Sequence, residues 1–298
     1  MKKVTIRLTA SEFKKIKNAV FENGDNEKLI SYLLRSDNIL ENQICKIKAA
    51  NTLGNLQETL AIIPLINVLS TGKIYSRLAA SEALGKIGCA AVDPLILYLG
   101  KIKETQDINP PEEAFWDKSY YVHDPAARTL VRVGKCAVPA LVEIMKSGND
   151  FEVQQAVDAL GRIGDKSIVE ILIFEFYKRE DNLTRWKIIR AIGELCDRKG
   201  AALLQTVLKA QEYVAFIRWE AANGLGKMAE TNAIDDLLNA LKNENKEICR
   251  ASVRALGKIG DARAIEPLQQ LLAGLSQNFS RKSIQYEVIH ALKKLNNV

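Results

Sequence analysis

The strongest constraint on this chain is that it repeats itself. The hexapeptide Ala-Leu-Gly-Lys-Ile-Gly occurs at Ala83–Gly88 and again at Ala255–Gly260, and Ala159–Asp165 reads Ala-Leu-Gly-Arg-Ile-Gly-Asp. With the first glycine as an anchor, equivalent positions fall at Gly54, Gly85, Val131, Gly161, Gly193, Gly226, Gly257 and Lys293. Their spacings are 31, 46, 30, 32, 33, 31 and 36 residues. Five of the seven lie between 30 and 33, and a fixed period of this size means an array of small structural units.

The columns around the anchor specify what each unit is. The residue before it is Leu53, Leu84, Leu130, Leu160, Ile192, Leu225, Leu256 or Leu292. Two residues after it stand Leu56, Ile87, Val133, Ile163, Leu195, Met228, Ile259 and Leu295. Five before it the residue is mostly small: Ala49, Ala80, Ala126, Ala156, Ile188, Ala221, Ser252, Val288. Apolar positions three and four apart mark one face of a helix, and small residues among them let helices approach. A turn follows, often Gly-Asp, where glycine takes the left-handed conformation and aspartate caps the next helix. That next helix carries Pro64, Pro94, Pro139 or Pro267 in its first turn or so, where a missing N–H costs little. Each unit is therefore a pair of antiparallel helices, and stacking the pairs buries a continuous core.

Arg77–Leu95 nearly spells R-x-x-A-x-x-A-L-G-x-I-G-D-x-x-A-[IV]-x-P-L, with Cys89 at the aspartate position and one residue fewer before Ala91. The chain thereby resembles the HEAT-repeat family, in particular its phycobilisome-lyase-type repeats, over residues 40–298. The resemblance implies an all-α fold, a right-handed α-α superhelix of about eight helical hairpins. It also implies that the anchor-bearing helices line a concave side. Residues 1–38 fall outside the repeat. Their alternation at Lys3–Leu8 and their later helical segments, one from Thr9 or Ser11 through Phe21 and one over 27–35, read as a strand-helix-helix cap on the array.

The 46-residue spacing holds an insertion at about 101–122. Pro110-Pro111 breaks any helix there. Phe115, Trp116, Tyr120 and Tyr121 then place four aromatics in seven positions of a chain that is only 6% aromatic. Insertions in repeat arrays map to loops that often carry function. These rings are candidate partner contacts, or else pack on the helices beneath.

Composition narrows the function. Net charge is +6, compatible with acidic partners. No run approaches the ~18 apolar residues of a membrane span. The start of the chain lacks the apolar core of a secretory leader, so a cytoplasmic protein is expected. The five cysteines (Cys45, Cys89, Cys136, Cys196, Cys249) form no Cys-x-x-Cys pair and read as reduced thiols acting as small core residues. The two histidines, His123 and His290, are too few for a zinc or iron site, so no metal and no cofactor are expected. In particular, the His-Glu pairs of deoxyhypusine hydroxylase, a HEAT-type enzyme, are absent. No phosphate-binding glycine loop and no nucleophile-base arrangement is present.

Steps of four keep positions seven before, three before and one after the anchor on one side of the helix. The last of these columns is basic in six repeats of eight, at Lys86, Arg132, Arg162, Lys227, Lys258 and Lys294. Three before the anchor lie Arg128, Arg190 and Arg254, and seven before it, in adjacent repeats, Trp186 and Trp219. Arginine forks suit carboxylates and phosphates, and tryptophan supplies flat contact area. Cations at helix C-termini also complement the helix dipole, and a tryptophan can fill a gap between repeats. The expected function is a non-catalytic scaffold that binds an acidic protein or peptide on the concave face. A nucleic-acid-binding protein, related to the HEAT-like DNA glycosylases, is the second reading, and a phycobilin lyase or chromophore chaperone the third.

Overall fold

The computed structural model describes residues 9–16, 18–22, 25–101, 124–275 and 282–295. The chain forms two compact units, residues 1–163 and 164–298. Among the described residues every regular element is an α-helix or a single 3-10 turn. The Lys3–Leu8 strand and the aromatic insertion, with Phe115, Trp116, Tyr120 and Tyr121, lie outside the described residues.

The first unit contains α1 (Ala10–Ile16), α2 (Asn26–Leu33), α3 (Leu40–Asn55), α4 (Ile62–Thr71), α5 (Ile74–Ile87), α6 (Val92–Ile96), α7 (Pro125–Val133), α8 (Val138–Ser147) and α9 (Asp150–Ile163). The second contains α10 (Val169–Lys178), α11 (Asn182–Leu195), α12 (Ala201–Lys209), α13 (Ala215–Met228), α14 (Ile234–Ala240), α15 (Lys246–Ile259), α16 (Ile265–Leu275) and α17 (Lys282–Leu295). The odd-numbered helices from α3 onward carry the anchors. In the first unit α3, α5, α7 and α9 pack in succession, and in the second α11, α13, α15 and α17 do the same. The even-numbered helices form a second layer, each packed on the anchor helix that follows it.

The core columns explain why. Leu53, Leu84, Leu130, Leu160, Ile192, Leu225 and Leu256 are all fully buried, and so are all eight residues five before the anchor. Each buried leucine contributes roughly 2 kcal/mol from apolar area removed from water. The column two after the anchor departs from expectation. Ile87, Leu195 and Leu295 are buried, but Val133, Ile163, Met228 and Ile259 are half-buried and Leu56 is 59% exposed. These residues occupy the last helical turn or the residue after it, where the layer ends and its rim meets solvent.

The turn chemistry is regular. The residue three after the anchor has positive φ in Gln57, Gly88, Gly134, Gly164, Cys196, Ala229 and Gly260. A 3-10 turn follows, without a side-chain cap at Gly88 and Gly134 and capped by an acid in the other five: Asp165 accepts from Ser167 N, Asp197 from Lys199 N and Asp261 from Arg263 N. Glu58 and Glu230 do the same for Leu60 N and Asn232 N. The reversal from one helix to the next is thus written twice, once in the backbone and once in a side chain.

At the N-terminus, Thr9 and Glu12 form a reciprocal capping box on α1: Glu12 accepts from Thr9 N at 2.8 Å and Thr9 Oγ1 accepts from Glu12 N at 3.3 Å. This helix stops at Ile16, five residues short of the expected Phe21. Residues 19–21 instead run against α3, where Asn51 Nδ2 donates to Ala19 O and Thr52 Oγ1 accepts from Phe21 N. Phe13 stacks on Tyr75 of α5 with ring centroids 4.3 Å apart.

The cysteines differ from expectation. Cys89 and Cys136 sit on exposed 3-10 turns whose Cα atoms are 5.3 Å apart, within disulfide range, and the two are joined. Only Cys249 is a buried core thiol, with its S–H directed at Leu241 O; Cys45 is half-buried and Cys196 exposed. Neighbouring turns stack in space, so residues far apart in sequence meet without any local motif. The cysteine pattern therefore gives no support for a reducing compartment.

Candidate functional site: the surface of the anchor helices

The candidate residues divide between the units. Lys86, Arg128, Arg132 and Arg162 belong to the first; Trp186, Arg190, Trp219, Lys227, Arg254 and Lys258 belong to the second. All ten reach the surface at least in part. The three columns are graded. One after the anchor, every residue is exposed or half-exposed. Three before it, Asn51 and Asp158 are buried while the three arginines are half-exposed. Seven before it, Ile47 and Asp124 are buried while both tryptophans are half-exposed.

The repeat register puts each column's residue beside its equivalent one repeat on, and several cations find partners there. Lys86 Nζ donates to Asn55 Oδ1 at 2.8 Å. Lys227 Nζ lies 3.7 Å from Glu194 Oε1, Arg132 lies 3.6 Å from Glu82, and Arg254 lies 3.9 Å from Glu287. Such half-exposed pairs contribute at most about 1 kcal/mol each and hold the side chains in place more than they stabilise the fold.

Lys258 is different. Burial, and then the nearby charges of Lys227, Arg254 and Lys294, hold its ammonium below the ordinary lysine range. No acidic side chain pairs with it among the described residues. Around Lys258, four cations (Lys227, Arg254, Lys258 and Lys294) meet two acids, Glu194 and Glu287, which leaves a local excess of positive charge. Further along the same helix layer, the Arg190 guanidinium stacks over the Trp186 ring at 4.7 Å. Trp186 and Trp219 occupy the same column on α11 and α13, which pack together.

Other arginines are structural. Arg218 Nε donates to Leu208 O, tying α13 to α12, and Arg185 sits 5.8 Å from the rings of both Phe176 and Tyr213. His290 and Glu287, which lie outside the basic column, join its Lys294 on this charged surface. Their signal was the i, i+4 spacing of His290 and Lys294 on α17, facing the same spacing of Arg254 and Lys258 on α15. Among the described residues no group of three or more His, Cys, Asp or Glu side chains converges as a metal site, and no helix is long and apolar enough to cross a membrane.

Comparison with known proteins places this arrangement in a class. Residues 138–216 and 215–285 match the HEAT repeats family model, and residues 76–101 match the PBS lyase HEAT-like repeat. The chain belongs to the HEAT-repeat family, with phycobilisome-lyase-type repeats, and folds as an all-α solenoid. A search of the curated proteins finds no match. Among solved structures the chain is similar to the archaeal HEAT-like repeats protein from Thermococcus onnurineus NA1, at 12% identity over 93% of this chain and 99% of that one, with a TM-score of 0.43. It is similar to the complex of CpcE and CpcF of phycocyanin lyase from Nostoc sp. PCC7120, at 22% identity over 92% and 96%, with a TM-score of 0.35. It is also similar to human deoxyhypusine hydroxylase in complex with glycerol, at 19% identity over 84% and 96%, with a TM-score of 0.37. The family assignment rests on the family models.

Proposed function

We propose that the protein is a non-catalytic scaffold that binds an acidic segment of a protein partner across the anchor-helix surface of its second unit. The observation that carries this reading is the charge environment of Lys258. Lys258 is exposed, and the three cations that crowd it repel its charge, a repulsion that an incoming anion relieves. Trp186, braced by Arg190, and Trp219 supply flat apolar contact area on the neighbouring anchor helices α11 and α13 of the same layer. Glu194 and Glu287 interrupt the cations. This favours a ligand with discrete acidic groups over a uniformly charged polymer such as duplex nucleic acid.

The test is a titration of the full chain with a Glu-rich peptide, read by intrinsic tryptophan fluorescence, beside a Lys-rich peptide and a duplex DNA. Saturable, salt-sensitive binding of the acidic peptide alone supports the proposal. Tighter binding of the duplex would transfer the site to nucleic acid, and a response to none of the three would remove it.

A further inference from the structure

The anchor helices α15 and α17 enclose a small cleft that the repeat logic does not need. Its floor is Gly257 against Ala291, an approach so close that a Cβ on Gly257 would lie 2.7 Å from the Ala291 Cβ. Its walls are Arg254 and Lys258 from α15, and His290 and Lys294 from α17, each pair four residues apart and therefore on one helix face. Glu287 completes the lining and lies 3.9 Å from Arg254 Nε. The cavity measures about 100 Å³, well below the size of a pocket for a whole small molecule and suited only to a single small group.

We propose that this cleft is a phosphate-monoester site, occupied by a phosphoserine or phosphothreonine of the docked partner segment. The proposal rests on the docking surface described above and names the chemistry of one position within it.

The charge count selects the ligand class. Arg254, Lys258 and Lys294 bring three positive charges and Glu287 one negative, leaving two. A phosphate monoester carries about −1.5 to −2 at neutral pH, with three terminal oxygens that accept hydrogen bonds. A carboxylate brings one charge and two oxygens and leaves donors unused. A phosphodiester brings one charge per unit and continues on both sides, where Glu287 opposes it. A guanidinium, two ammonium groups and an imidazole converging from two helices suit three oxygens on one tetrahedral centre. The cations crowded around Lys258 add to the driving force, because an adjacent dianion relieves their mutual repulsion.

The experiment uses the full chain with ¹³C-labelled histidine in phosphate-free buffer. The His290 imidazole signal is assigned by its loss in His290→Gln. Phenyl phosphate is the monoester probe, benzoate the carboxylate and diphenyl phosphate the diester. The expected result is a saturable His290 shift with phenyl phosphate, at an affinity at least tenfold above that for benzoate or the diester. Lys258→Ala and Lys294→Ala each weaken it about tenfold, and Glu287→Gln tightens it about threefold by removing the opposing charge. Equal affinity for benzoate or for the diester overturns the proposal, as does an unmoved His290 signal.

A second arm compares one acidic peptide with and without a single phosphoserine. The phosphorylated form should bind wild type about tenfold more tightly, and the double variant Lys258→Ala/Lys294→Ala no more tightly than its serine form. If the serine peptide docks and phosphorylation adds nothing, this site falls and the docking surface stands. If phenyl phosphate binds and neither peptide docks, the docking reading falls and with it a partner segment as the source of the phosphate. Circular dichroism melts of each variant separate lost binding from lost folding.

Discussion

Gly226 on α13 faces Ala255 on α15 so closely that a Cβ added to Gly226 would lie 2.6 Å from the Ala255 Cα. The same relation recurs between Gly54 and Ala83, Gly193 and Gly224, and Gly257 and Ala291. In each case the anchor glycine meets the residue two before the anchor of the next repeat. The glycine is there for the helix-helix contact, and the turn is made three residues later.

This contact predicts that Gly226→Ala destabilises the protein by about 2 kcal/mol. Alanine gains about 1 kcal/mol in helix propensity, but the obstacle is backbone and cannot rotate aside. Gly274 in α16 is the control, because no atom of the described residues lies within 4 Å of a Cβ there. Gly274→Ala should stabilise by about 0.5–1 kcal/mol. Urea unfolding of the two variants checks both signs.

The left-handed position offers a second pair of opposite signs. Ala229 at φ 50° and Cys196 at φ 48° hold a conformation in which their Cβ is strained, while Gly260 at φ 79° holds it freely. Ala229→Gly and Cys196→Gly should each stabilise by about 0.5–1 kcal/mol, and Gly260→Ala should destabilise by about 1 kcal/mol. Thermal melts at fixed pH read the difference.

These two columns show how far the sequence was legible. The period, the buried leucines and the alanines five before the anchor follow from one helical face, because every residue in that argument lies within a few turns of its neighbours. The role of the anchor glycine was hidden, since its partner lies one repeat away and the register between helices is a tertiary property. The pairing of Lys86 with Asn55 and of Lys227 with Glu194 was hidden for the same reason, as was the meeting of Cys89 and Cys136. The basic column was legible as charge. Which of its members is left uncompensated depended on seeing where the acids of the next repeat reach.

The Cys89–Cys136 bond predicts a thiol count. Denatured protein should titrate three thiols without reductant and five after reduction. In the native state Cys196, which is exposed, should react first. The bond spans 47 residues, and reducing it should lower stability by about 2–4 kcal/mol on the chain-entropy account. Reagent titration and paired denaturation curves measure both.

Lys258 gives a pH-dependent prediction. Burial first, and then Lys227, Arg254 and Lys294, hold its pKa in the folded state below the unfolded value. Charging it therefore opposes folding at pH values below the folded pKa, and the penalty disappears as pH rises from there towards the unfolded value. Lys258→Met should raise the urea midpoint at neutral pH, and the advantage should vanish in alkaline buffer. A midpoint difference constant with pH would contradict this.

The most direct test of the docking surface is charge reversal within it. Full-length wild type and Lys227→Glu/Lys258→Glu are titrated with the same Glu-rich peptide at two salt concentrations. The account predicts binding by the wild type that weakens with salt, and at least a tenfold loss in the double variant with an unchanged melting profile. Equal affinity for the two proteins would contradict it.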